Sequence, residues 1–132
     1  MANNDLTIRS ATAAAAKEIK ASAHYAYITN GITLDGSTFA VGELVESGQC
    51  LVKDDVTGKY EKYTETTPGT FEPGKSSPVI MDENVMFVVK DDGTNPDVTA
   101  GEVLVHGAVY TGMLTSSTAA FIAQLQGFIR FV

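Results

Sequence analysis

From Tyr25 onward, turn residues cut this chain before any apolar run grows long. Asn30-Gly31, Asp35-Gly36, Ser47-Gly48 and Thr57-Gly58 stand between short stretches such as Ile32-Thr33-Leu34 and Gln49 to Lys53. Paired turn residues at such spacing leave room for strands of a few residues but not for a long helix. The pattern predicts further strands over Thr38 to Glu46 and over Lys59 to Tyr63, the latter with its two tyrosines on one face. Thr66 to Pro78, with three prolines and two glycines, reads as an irregular loop. Val79 to Val89 reads as two strands broken by Asp82-Glu83-Asn84, and Asp91 to Asp97 as a polar turn. Gly101 to Met113 is the strongest strand candidate, with Gly107 as a bulge or bend.

The end of the chain changes character. Ser116 or Ser117 can cap a helix on which Phe121, Ile122 and Leu125 share a face, and Gly127 can end it. Phe128 to Val132 then reads as a last strand. An apolar terminus of this kind is expected to be tucked into the core or an interface. The fold class expected is mainly β, a small β-rich domain with one short helix near the C-terminus.

Charge divides the chain in two. Residues 1–34 hold two acids and three bases, whereas residues 35–132 hold fourteen acids and six bases. The total of −7, with no cluster of Lys and Arg, opposes binding to a phosphate backbone, so no nucleic-acid partner is expected. No run of about 18 apolar residues is present, so no membrane-spanning helix is expected. The polar start lacks the features of a secretory signal, and nothing there marks the chain for export.

The leader divides again. Leu6-Thr7-Ile8-Arg9 alternates apolar and polar residues as a short strand does. Ser10 to Ala21 is rich in alanine, which favours helix, yet Ile19 is its only large apolar side chain. A helix here would bury almost nothing, and one of this length is marginal in water. The leader therefore reads either as a frayed terminus or as a flexible arm that orders against a partner by adding a strand or a helical turn.

Residue types that carry chemistry are sparse. There is no phosphate-binding glycine loop, no Gly-x-Ser-x-Gly elbow and no Cys-x-x-Cys. His24 and His106 lie far apart in sequence, outside any metal-ligand spacing, and His106 reads as a packed or interface residue. Asp91 to Asp97 lacks the alternating acids and distant glutamate of a calcium loop. The lone Cys50 has no basic or histidine neighbour in sequence to activate it and reads as a small apolar core residue. No catalytic residues, cofactor or metal are expected, and the chain reads as a binding or structural protein rather than an enzyme.

Taken in order, several segments carry a family resemblance. They are Val41-Gly42-Glu43-Leu44-Val45 with Cys50-Leu51-Val52-Lys53, then Thr57-Gly58-Lys59-Tyr60, then Gly101 to Val109 with Leu114, and finally Ala119 to Arg130. This order of glycine-led strands, a valine-rich strand with a glycine inside it, and a short helix closing into Gly-Phe-Ile-Arg resembles the head decoration proteins of tailed bacteriophages. The resemblance spans most of residues 30–132. It implies a β-tulip-like domain over residues 25–132 and an N-terminal capsid-binding arm over residues 1–24. Leu6, Thr7, Ile8 and Arg9 would make the shell contact.

The implied partner is the phage major capsid protein. The implied state is a homotrimer on the outer surface of the virion capsid, made in the host cytoplasm, which clamps neighbouring capsid proteins of the expanded shell. A tail or baseplate β-domain, or a receptor-binding module, is the alternative, since it too would be acidic, β-rich and without catalytic groups.

Overall fold

The computed structural model describes residues 18–132. Ten strands are present among these residues: β1 (Ala26–Tyr27), β2 (Ile32–Leu34), β3 (Leu44–Val45), β4 (Cys50–Asp54), β5 (Tyr60–Lys62), β6 (Lys75–Met81), β7 (Val85–Met86), β8 (Val98–Ala100), β9 (Val103–Val109) and β10 (Ile129–Phe131). Among the described residues one α-helix, α1 (Ala119–Leu125), precedes the last strand. The fold is mainly β with this helix near the C-terminus, as the turn-punctuated sequence predicts.

Eight strands form one sheet in the order β1-β9-β6-β4-β5-β2-β8, with β10 parallel to β9. The sheet curls into a half-barrel. The Asn30-Gly31 turn links β1 to β2, and Gly101-Glu102 links β8 to β9, which draws the two ends of the sheet together. Strands β3 and β7 pair separately as a two-stranded ribbon.

The central strands are apolar on both faces, and their alternation supplies two cores. Leu51, Val79, Met81 and Val103 point to one side, where they meet Ile32, Leu34, Phe39, Val45, Val85 and Phe87. Cys50, Val52, Ile80, Leu104 and Val109 point to the other, beneath Phe121 and Leu125 of α1. Burial on both faces accounts for the continuous apolar runs Leu51-Val52, Val79-Ile80-Met81 and Val103-Leu104.

Several local expectations are corrected. Tyr60 and Tyr63 are both buried but belong to opposite cores, because a spacing of three residues reverses the face of an extended chain. Thr38 to Glu46 is not a strand throughout. Gly36–Thr38 forms a 3₁₀ turn capped by Asp35, and only Leu44–Val45 pairs.

The loop expected to run to Pro78 ends earlier, since β6 starts at Lys75. Lys53 pairs with Ser76 and Leu51 with Val79, so Ser77 and Pro78 together oppose Val52. That bulge, with Ser77 at φ 51°, accommodates a residue that has no N–H to give the ladder. The strand expected over Gly101 to Met113 is confined to Val103–Val109, and Thr111–Met113 is a 3₁₀ turn.

The cap of α1 is Thr118 rather than Ser116 or Ser117. Its Oγ1 accepts the Phe121 N–H at 3.2 Å, while Ser116 occupies a left-handed turn at φ 68°. The C-terminus is held by its backbone more than by its side chains. Val132 N donates to Val109 O at 2.9 Å, and Val132 O accepts from Thr111 N at 3.1 Å. Ile129 is buried, but Phe128 and Val132 are each 61% exposed, so the expected tucking reaches only part of the segment.

Candidate functional site

Leu6, Thr7, Ile8 and Arg9 lie outside the described residues. What the structure places is the segment that follows them, which lines the free edge of β9. Ile19 is fully buried in the helix-covered core. Its carbonyl accepts from Tyr110 N at 2.8 Å, Ala21 N donates to Ala108 O at 2.8 Å, and Lys20 makes an antiparallel bridge with Val109. Further along, Ala26 faces His106 and Tyr27 faces Leu104. Ile19, inside the span of residues 1–24 assigned to the arm, is thus packed against the body, and Lys20 is extended rather than helical.

The physical reason lies in the partner strand. Ile19 was the single large apolar residue of an alanine-rich stretch, too little to stabilise a helix, but a β-edge with an open hydrophobic slot needs only one. Between the two paired pieces, Ser22 to Tyr25 pass close to Gly107. A Cβ at Gly107 would stand 3.0 Å from Tyr25 Cβ, and the residue sits at φ 145°, so glycine is required there on both counts.

A polar cluster locks this edge. Lys20 Nζ lies 2.6 Å from Asp82 Oδ2 and 3.1 Å from Glu18 Oε2, and it stands over the Tyr25 ring at 4.9 Å. The Tyr27 hydroxyl donates to the same Asp82 oxygen at 2.5 Å. Asp82, in the turn after β6, has a side chain only 4% exposed. Burial alone would lower the Lys20 ammonium, but its bonds to Asp82 and Glu18 outweigh that and raise it well above the ordinary lysine value. Burial raises the Tyr27 phenol too, and its bond to the Asp82 carboxylate raises it further.

Tyr25, Tyr110, Met113, Phe128 and Val132 are all substantially exposed. A groove of about 510 Å³ runs beside β10, lined by His106, Gln126, Phe128 and Arg130 among others. A second exposed apolar group, Val41, Met86, Val88 and Val89, lies on and around the β3–β7 ribbon. Exposed apolar residues grouped in this way mark surfaces suited to protein contact.

Other sequence candidates fall into place around this. Cys50 is buried in the helix-covered core, which pushes its thiol up to about 12. The Asp91 to Asp97 turn is closed by its own bonds, with Asp92 Oδ1 accepting from Thr94 N at 3.0 Å. Asn95 ties the turn to the carbonyls of Gly36, Phe39 and Ala40. Among the described residues, no group of three or more His, Cys, Asp or Glu is placed to hold a metal ion, and no helix is long and apolar enough to cross a membrane. His106 is exposed rather than packed, and its ring faces that of His24.

Comparison of the chain with known protein families, with curated proteins and with solved structures finds no match.

Proposed function

We propose that this protein is a head decoration protein of a tailed bacteriophage, which binds the outer surface of the expanded capsid as a trimer and clamps neighbouring major capsid proteins. The observation that supports this most directly is the anchoring of Ile19 to Ala21 on β9. Residues 1–17 precede that anchor, and they include the strand-like Leu6-Thr7-Ile8-Arg9. A leader that pairs with a shell protein would pull on the edge of a sheet buried on both faces. The order of glycine-led strands, valine-rich strand and closing helix supports the same reading.

In this reading Leu6 and Ile8 supply alternate side chains of an added strand, while Thr7 and Arg9 face the other way. The acidic body suits an outer surface, since like-charged copies do not adhere to one another away from their specific contacts. The clamp works by mass action: a protein that binds only the expanded shell shifts the balance toward it by its differential affinity. Many copies, each adding a few kcal/mol, reinforce a lattice together.

The test mixes purified protein with undecorated expanded heads and counts the copies bound. Full-length chain is expected to saturate the heads, and a chain lacking residues 1–17 is expected to melt as a folded body yet stay unbound. Saturation by the truncated chain would remove the arm from the mechanism. Attachment at the tail instead of the head would favour the baseplate alternative.

A further inference from the structure

The only two histidines of the chain, far apart in sequence, meet across the β9 edge with ring centres 5.3 Å apart and planes inclined at 59°. Both side chains are exposed, and neither imidazole makes a hydrogen bond within the described residues. Their meeting follows from strand register. Ala26 pairs with His106, and the chain at His24 and Tyr25 closes over Gly107, where no side chain intervenes.

We propose that His24 and His106 form a two-imidazole site for a divalent transition-metal ion of the zinc class. Zinc binds imidazole nitrogen at about 2.0–2.1 Å, which puts each ring centre about 3.2 Å from the metal and two rings at a tetrahedral angle about 5.2 Å apart. The observed spacing matches that separation. Imidazole is a favoured donor for zinc, copper and nickel, and the two rings, one on β9 and one on the stretch that closes over Gly107, already stand side by side. Water completes the coordination, because no third protein donor of the usual kind is placed nearby among the described residues.

The site would act as a clasp. His106 belongs to β9, whereas His24 lies in the stretch between the anchored Ile19–Ala21 and β1, so a bound ion would tie that stretch to the sheet. Binding to the folded state alone raises stability as metal is added.

The experiment titrates the full chain with zinc chloride at neutral pH, by calorimetry and by thermal melting. One zinc per chain is expected, with a melting temperature that rises as zinc is added. His24→Ala and His106→Ala, both at exposed positions, should each keep the zinc-free melting temperature and weaken binding at least tenfold. The two ring signals should shift together on titration when followed by NMR. No saturable binding up to about 1 mM zinc, or undiminished binding in either single variant, would overturn the proposal. So would movement of one histidine signal without the other. Head binding is not read in this experiment, so its outcome is separate from that of the decoration reading.

Discussion

The two faces of the curled sheet are closed in different ways. The inner face is sealed by the sheet's own return, with β2, β8 and the β3–β7 ribbon bringing Ile32, Leu34, Ala100, Val45 and Val85 over Leu51 and Met81. The outer face is sealed by pieces from near both ends of the described chain: Ile19 from one side, α1 and Ile129 from the other. The first core is a property of the strands themselves. The second is completed by segments from near both ends of the described chain, docked onto residues of the sheet.

The sharpest way to break this contrast is to truncate one large side chain in each core. Phe121→Ala removes the largest fully buried contribution of α1 and is expected to cost about 3–5 kcal/mol, against about 2–5 kcal/mol for Leu51→Ala on the inner face. Denaturant unfolding measures both. If the outer face is closed by docking, Phe121→Ala should also speed amide exchange along residues 19–27, whereas Leu51→Ala at equal stability should not. Equal exchange in the two variants would mean that the faces open as one.

Next in size is Ile19→Ala, expected to cost about 2–4 kcal/mol because the site is fully buried. This residue also sets how much leader can be removed. A deletion ending at residue 17 should melt near the full chain, while one ending at residue 20 should melt well below it, since it removes Ile19 and leaves Asp82 without the Lys20 ammonium. Indistinguishable melting of the two deletions would show that the anchor contributes nothing.

The smallest effect concerns the polar rim. Hydrogen bonds from Lys75 Nζ at 2.8 Å and from the Val56 and Thr57 amides at 2.8 and 3.2 Å hold the Asp54 carboxyl at about 2, below its ordinary 3.8. A carboxyl lowered in the folded state contributes its full stability above the unfolded value and loses it as pH falls through the folded one. Stability should therefore decline between about pH 4 and pH 2, and Asp54→Asn should flatten that decline in acid-titrated urea midpoints. An unchanged slope would show that other carboxyls govern the acid limb.

Much of the architecture was legible from particular residues. The strands around Gln49 to Lys53, Val79 to Val89 and Gly101 to Met113 and the late helix with Phe121, Ile122 and Leu125 on one face were all read from their residues, whereas the covering of the central strands on both sides was not. The leader's anchor was not legible. Ile19 looked too isolated to bury, because the core it joins, with Cys50, Val109 and Phe121 among its members, is built from residues far along the chain. Lys20 and Asp82, or His24 and His106, carry no local signal of pairing either.

Turn chemistry and hydrophobic runs, which act between near neighbours, therefore determined by themselves that this chain is a small β protein with one late helix. Which face each tyrosine joins, where Ile19 docks and which charged or imidazole groups meet were decided by strand register and by the curl of the sheet. Those depend on contacts between residues distant in sequence, which no local pattern records.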